Sequence, residues 1–389
     1  MRLPRLAILA VLTALPLAGC DVGDEDASPQ LGARGDEENA AEKLGFPASA
    51  TRNTTRVGGG DAVADTAGVV AAVYPASGDS DRPPAVAFVD RADWQAGIAA
   101  AALQAPPVGV PALLTDGGEV PEVTADVLAR LDPQGSDLSR DAQVIRIGEK
   151  PPAPAGRKTA VIRGKDPYEL AAAIDRYSTV ARGAPSDHVV IASGERPEFA
   201  MPAAPWAARS GDSVLFVQRD RVPAATLTAL RRRKKTDLYL LGPESVVSER
   251  TAKALGRFGR VRRIEGATPV QNAVAFARYE RSGFGWGYTV PGYNFTLAST
   301  SRPADAVAAA PLGANGVFAP LLLTDDPQRL PRSVESYLLD VQPGFERDDP
   351  SSAVYNRVWI LGDDKAISVA AQARADAVTT LVPVRTRQP

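Results

Sequence analysis

The chain is poor in the two residue types that most often build metal sites and catalytic relays. Its 389 residues include one histidine, His188, and one cysteine, Cys20. A single cysteine cannot form a disulfide within the chain, and one residue of each type cannot supply a Cys/His metal cluster. A Ser-His-Asp triad would have to use His188. The composition therefore predicts no metal site and leaves little room for nucleophilic catalysis.

An excess of charge of one sign is also missing. The chain has 44 basic and 46 acidic residues, for a net charge of -2. A protein that binds nucleic acid through its backbone phosphates usually shows a strong basic excess, so we predict no nucleic-acid partner. Hydrophobic residues make up 44% of the chain, which is enough for two or three domains with cores of their own.

The first twenty residues have the pattern of a targeting segment. Arg2 and Arg5 precede an apolar stretch, residues 6–15, that is too short to span a bilayer as a helix. This arrangement predicts a signal peptide over residues 1–19. The text LAGC that ends at Cys20 resembles a bacterial lipobox, in which the cysteine receives a lipid. We predict that the chain is anchored by Cys20 to the outside of the cytoplasmic membrane, facing the cell wall; the alternative is an ordinary signal peptide with a chance cysteine.

Residues 20–50 are predicted to be a disordered acidic tether that starts at the lipidated cysteine. Eight acidic residues and one arginine lie between positions 21 and 42, with few large apolar residues. Such a composition cannot bury enough surface to offset the entropy lost on ordering.

The rest of the chain repeats itself. A strand–loop–helix text occurs at residues 110–131 and 319–339, with a weaker copy at 212–231. A second phrase also recurs: an apolar residue, any residue, glycine, any residue, then Asp or Thr. Its glycines, spaced by 105 and 102 residues, are Gly59, Gly164 and Gly266. We interpret them as structural residues that allow a sharp turn between a strand and the helix after it.

Each repeat alternates strands and helices, which predicts parallel β-α-β units with helices on both faces of the sheet. The fold class is therefore α/β, with three tandem Rossmann-like units at residues 51–157, 158–258 and 259–389. Asp166 and Thr268 each stand before a proline and are predicted N-caps. An alanine-rich helix in each unit predicts close packing against a sheet or another unit. Residues 380–384 resemble an opening strand with no unit after it, and either complete the third unit or pair elsewhere.

These motifs together resemble the type 2 cell-wall-binding repeat of Gram-positive surface proteins. The resemblance covers roughly residues 51–384, and its Pro-x-Leu-Leu element falls on Pro111 and Pro320, which we assign structural roles. The second unit lacks this proline. The resemblance implies three modules about a pseudo-threefold axis, no catalysis and no cofactor. It also implies non-covalent binding to an anionic wall polymer or glycan.

A basic segment follows one helix of the second unit. From residue 231 to residue 263 there are eleven basic residues against three acids. One interpretation is a solvated helix end whose charges complement the helix dipole. The other is a docking patch for a phosphate-rich wall polymer, which salt would weaken. The candidate polymer-binding residues are Arg231, Arg232, Arg233, Lys234, Lys235, Arg257, Arg260 and Arg262.

Three further features carry alternatives. The aromatic, glycine-rich stretch 284–293 either stacks on sugar rings or covers a seam between units. The run Gly58-Gly59-Gly60 is a turn or a phosphate cradle, and the full dinucleotide fingerprint is missing. His188, just before an apolar strand, is a strand-edge residue or a general base.

Two other functions stay open beside wall binding. One is a substrate-binding lipoprotein of a transporter, for which two lobes and a deep pocket between them are expected. The other is a nucleotide- or sugar-using enzyme on a doubly wound sheet, for which polar residues clustered at the strand ends of one unit are expected. Fold alone does not separate these three functions, and the sequence leaves the oligomeric state open.

Overall fold

The computed structural model describes residues 48–78, 81–234, 236–346 and 353–384. The signal peptide, Cys20, nearly all of the acidic tether and Lys235 lie outside the described residues. The last three tether residues, Ala48–Ala50, form a strand, so the ordered part begins slightly earlier than predicted. Their backbone pairs with the strand that follows.

The described chain alternates strands and helices as predicted. The first part comprises β1 (Ala48–Ala50), β2 (Thr54–Val57), α1 (Ala62–Val73), β3 (Val86–Asp90), α2 (Trp94–Ala100), β4 (Ala112–Thr115), α3 (Glu122–Leu131), β5 (Val144–Ile147) and β6 (Thr159–Ile162). The middle part comprises α4 (Pro167–Arg182), β7 (His188–Ser193), α5 (Pro197–Ala200), α6 (Ala203–Ser210), β8 (Ser213–Val217), α7 (Ala224–Arg231), β9 (Asp237–Leu241), α8 (Glu249–Leu255) and β10 (Val261–Ile264). The last part comprises α9 (Pro269–Arg278), β11 (Asn294–Ser299), α10 (Asp305–Gly313), β12 (Leu321–Thr324), α11 (Arg332–Asp340), β13 (Gly344–Phe345), β14 (Arg357–Leu361), α12 (Val369–Val378) and β15 (Val382–Pro383).

Three parallel sheets share one strand order, which confirms the α/β fold class with parallel sheets. The orders are β4-β3-β5-β6, β8-β7-β9-β10 and β12-β11-β14-β2. The opening strand of each repeat therefore lies in the sheet of the preceding repeat. The third sheet is completed by β2 from the start of the chain, so the two ends of the repeat region meet in one sheet. β1 adds an antiparallel edge beside β2.

The predicted strand near the end of the chain does not join the third sheet. β15 pairs instead with the two residues of β13. Its expected place beside β14 is already taken by β2, with Val358 opposite Thr54. The segment that completes the third sheet is thus distant in sequence, and local patterns could not identify it.

Local contacts explain the helix N-caps and the three repeat glycines. The side chains of Asp61, Asp166 and Thr268 each accept a hydrogen bond from a backbone N–H in the first turn of the following helix. At Gly164, a Cβ would lie 2.4 Å from the backbone nitrogen of Leu170. Gly59 and Gly266 are equally close to the first turn of their helices. The glycine is therefore needed because the helix start approaches the strand end closely.

The alanine-rich helices pack against one another between the units. α10 is buried along its whole length and contacts both α1 and α6. At Gly97 in α2, a Cβ would lie 2.4 Å from Cγ2 of Val307 in α10. At Gly313, at the end of α10, a Cβ would lie 2.2 Å from the backbone oxygen of Pro205 in α6. Small residues thus set the distance between the three units.

We expect G313A to destabilise the fold by about 1–3 kcal/mol, because a methyl group at this position meets backbone that must move. Urea unfolding monitored by circular dichroism measures the effect. G118A is the matched control, since Gly118 has open space around its Cβ position. Equal midpoints for G313A and wild type would show that the α10–α6 contact is not tightly packed.

Candidate functional site

The predicted basic residues occupy different environments. Arg231, Arg232, Lys234, Arg257 and Arg260 are exposed. Arg262 is half-buried beside Asp237, with its Nε 3.8 Å from the Asp237 carboxylate. The segment therefore contributes several cationic groups to the surface of the second unit, while some of its charge is held by the protein itself.

Arg233 is not available to a polymer, which corrects the prediction for this residue. Its side chain is 1% exposed and forms an ion pair with Asp175 of α4. It also donates to the backbone oxygen of Ser186 at 2.8 Å and to Oγ of Ser213 at 2.9 Å. A buried arginine that is bonded in this way fixes α4 to the sheet, and losing it would leave the buried Asp175 charge uncompensated.

Four arginines surround a cavity of about 290 Å³ between α7 and α8. Two of them, Arg231 and Arg257, were predicted. The other two, Arg221 and Arg250, were not. We call these four residues the arginine pocket. Leu227, Ala254 and Phe258 also line it, together with one carboxylate, Asp220, which is paired with Arg219 at 2.9 Å.

The charges of the arginine pocket are largely uncompensated. Within the described residues, Arg231, Arg250 and Arg257 form no hydrogen bond or ion pair, and Arg221 donates only to the neutral Gln218 side chain, at 2.8 Å. Clustered like charges raise the local potential and attract an anion. The guanidinium group suits phosphate and carboxylate oxygens because it can donate two parallel hydrogen bonds.

The corresponding place in the third unit is closed by its own ion pair. Aligning Pro223 with Pro331 places Glu335 at the position of Leu227, and aligning Ser248 with Ser368 places Arg374 at the position of Ala254. Arg374 and Glu335 form an ion pair. The positions that match Arg231, Arg250 and Arg257 carry Leu339, Ala370 and Ala377. The position that matches Arg221 carries Arg329, which pairs with Asp326 at 3.1 Å. The second unit thus has an open basic pocket where the charged side chains of the third unit are paired.

The two pocket arginines that the sequence analysis did not identify both lie near the start of a helix. Arg221 lies two residues before the proline at the start of α7, and Arg250 follows the cap of α8 by two residues. Neither lies in the dense cluster at 231–235. Each lies at a fixed offset from a helix start, and a search for dense clusters of charge does not use that signal.

The aromatic stretch 284–293 mainly covers the seam between the second and third units. Phe284 stacks on Tyr239, with ring centroids 3.6 Å apart. Trp286 contacts Trp206 edge-on, with centroids 5.6 Å apart. Phe284, Trp286 and Tyr288 are all buried. These three rings are therefore not an exposed stacking platform.

The other sequence candidates have structural partners. The backbone N–H of Gly59 donates to the Asp65 carboxylate at 2.7 Å, so the chain's own carboxylate takes the place that a phosphate would need. His188 lies at the first position of β7, with Nδ1 3.7 Å from the Asp212 carboxylate. The nearby Asp212 carboxylate raises the pKa of His188, because it favours the protonated imidazole.

No helix among the residues described is both long and apolar enough to cross a bilayer. The family model described as cell wall binding domain 2 (CWB2) matches residues 161–252 and 263–372, which together are just over half of the chain. No curated protein matches the chain.

Two solved structures share the fold. Cwp6 from Clostridium difficile superposes with a TM-score of 0.65 at 17% identity, over 84% of this chain and 48% of Cwp6. Cwp8 from Clostridium difficile superposes with a TM-score of 0.63 at 18% identity, over 84% of this chain and 52% of Cwp8. The chain thus spans about half the length of each.

Proposed function

The chain belongs to the cell wall binding domain 2 family, and on this basis we propose that it binds an anionic polymer of the bacterial cell wall without catalysis. The arginine pocket carries the proposal: four arginines meet there with little internal compensation, at a position where the third unit forms an ion pair. Arg232, Lys234 and Arg260 lie exposed in the same basic segment and add to its positive potential.

The first unit is part of the same proposal. The family match begins at residue 161, yet residues 86–162 form a sheet with the strand order of the other two. We infer a third, more diverged copy, so that the units lie at 51–157, 158–258 and 259–389. Three equivalent sheets support a wall-binding body over a transporter protein with two lobes.

The N-terminal prediction places this body outside the cytoplasmic membrane. A lipid on Cys20 would hold the chain at the membrane, and the acidic residues 20–50 would let the described part reach the wall. The partners in this proposal are therefore the membrane, through the lipid, and the wall polymer, with no nucleic acid. Labelling with a radioactive fatty acid, compared between wild type and C20A, tests the anchor.

Co-sedimentation of the lipid-free protein with purified sacculi tests wall binding. We expect binding at low salt, and at least a tenfold loss at 1 M salt, where the screening length falls to about 3 Å. Sacculi stripped of their anionic polymers should bind correspondingly less. If the protein sediments equally with stripped and intact sacculi, the ligand is not the anionic polymer. If it does not bind intact sacculi at low salt, the proposed function is wrong.

A further inference from the structure

A second cavity, separate from the arginine pocket, lies at the seam between the second and third units. Its volume is about 810 Å³, and it is bounded by the ends of α4 and α6, the start of β7 and the loop 280–293. This volume lies within the range of small-molecule sites, about 300–1,000 Å³. The wall-binding proposal does not use it, and we call it the seam cavity.

The charges of the seam cavity are balanced. Its lining includes Arg182, His188, Arg209, Asp187, Asp212 and Glu280. Three groups are cationic when the histidine is protonated, and three are acidic. A polyanion gains little from such a wall, because its attraction to the cations is offset by repulsion from the carboxylates. An uncharged ligand with many hydroxyl groups fits it better, since each hydroxyl both donates and accepts hydrogen bonds.

One buried donor in the lining has no partner. Trp286 is 5% exposed, and its Nε1 is buried without a hydrogen-bond acceptor among the described residues. The neighbouring Trp206 differs, because its Nε1 donates to the Asp212 carboxylate at 2.9 Å. A buried donor without a partner costs free energy, and an acceptor oxygen on a ligand would remove that cost.

Glu280 supplies an acceptor at the rim of the seam cavity. Within the described part of the chain, its carboxylate forms no hydrogen bond or ion pair. A Cβ at position 287 would lie 2.5 Å from Oε2 of Glu280, so the carboxylate lies directly against the loop at Gly287. The same glycine has a φ of +68°, which suits glycine as well. The loop therefore places a free carboxylate at the edge of the seam cavity.

Tyr293 provides an aromatic surface beside these polar groups. Tyr288 stacks on one face of the ring, with centroids 3.7 Å apart. The Tyr293 ring is half-buried and lines the cavity. Unlike Phe284 and Trp286, this ring is accessible to a ligand. An aromatic ring beside a few directed polar groups is the usual composition of a small-molecule site.

We infer that the seam cavity binds an uncharged saccharide of one to three units. In this arrangement Trp286 Nε1 donates to a ligand oxygen, Glu280 accepts from a hydroxyl, and a sugar ring lies against Tyr293. The site differs in ligand charge from the arginine pocket, and it does not depend on the wall-polymer proposal.

Isothermal titration calorimetry with chitotriose tests this inference, because its acetamido and hydroxyl oxygens can accept from Trp286. We expect saturable binding that W286F, which keeps an aromatic ring and removes the N–H, weakens roughly 3- to 10-fold. E280Q and Y293A should each weaken binding to a similar extent. Circular dichroism checks that each variant is folded, and Glu280 is exposed, so E280Q leaves the core unchanged.

R250E/R257E is the matched control, since both residues line only the arginine pocket. It should bind chitotriose as wild type does, even where its binding to sacculi is lost. Saturable binding of maltotriose in place of chitotriose, lost in E280Q, would also support the inference. If neither sugar binds, or if W286F and E280Q both bind like wild type, the inference is wrong, and the wall-polymer proposal stands unaffected.

Discussion

R250E/R257E is expected to weaken binding to the anionic wall polymer by about 100-fold or more. Charge-assisted hydrogen bonds to arginine contribute about 1.5–3 kcal/mol each, and about 1.4 kcal/mol corresponds to a factor of ten. Two lost arginines therefore account for a hundredfold change, and the new carboxylates add repulsion. Co-sedimentation with a dilution series of sacculi at low salt measures the apparent affinity.

K253E is the matched control for this experiment. Lys253 lies on α8 with Arg250, is exposed, and does not line the arginine pocket. K253E also lowers the positive charge of α8. If binding depended only on the overall potential of this helix, K253E and R250E/R257E would both weaken it. We expect K253E to bind within about threefold of wild type, because Lys253 lies outside the arginine pocket and acts on the polymer only through a potential that salt screens. Comparable losses in R250E/R257E and a K253E/R260E pair would contradict a localised site.

The local elements of this fold were predictable because local chemistry determines them. Asp166 and Thr268 cap their helices as the capping pattern indicates, and the apolar runs that end in glycine are strands. The sheet that each opening strand joins was not predictable. β2 pairs with β14 across about 300 residues of chain, and nothing within either segment specifies that partner.

The basic segment was also only partly predictable from the sequence. The density of charge at 231–235 indicated which part of the second unit carries exposed basic residues. It could not separate Arg231, which is exposed, from Arg233, which is buried against Asp175. Two residues at this spacing project in different directions at a helix end, and a buried acid on another helix decides which one is withdrawn from solvent.

Two buried carboxylates share one arginine where the first and third units meet. Asp65 lies in α1, and Arg302 and Asp305 lie at the start of α10; both carboxylates are 0% exposed. Arg302 forms ion pairs with both, and its Nε lies 2.9 Å from Asp305 Oδ2. Burial raises the pKa of Asp65 to about 6. Burial, and then the Asp65 charge, raise the pKa of Asp305 to about 8.

These shifts set the expected pH dependence of stability. In the unfolded chain both aspartates titrate near their ordinary pKa of about 3.9. Between pH ~4 and ~8 the folded protein therefore binds more protons than the unfolded chain. Its free energy of unfolding should fall as the pH rises through this range.

R302L is expected to destabilise the protein by about 3–5 kcal/mol, because it leaves two buried acids with no cation. Without Arg302 the pKa of each carboxyl rises further, so the loss should be larger at pH 8 than at pH 5, where both can remain protonated. Urea unfolding at the two pH values measures this difference.

R329L is the matched control. Arg329 pairs with Asp326 at the surface, at 3.1 Å, and removing it should cost less than about 1 kcal/mol. Asp65 and Arg302 join the first helix of the repeat region to the third unit. If R302L is as stable as R329L at pH 8, the buried ion pair does not stabilise this contact between the first and third units. In that case the pairing of β2 with β14 and the packing of α1 on α10 would hold the first and third units together.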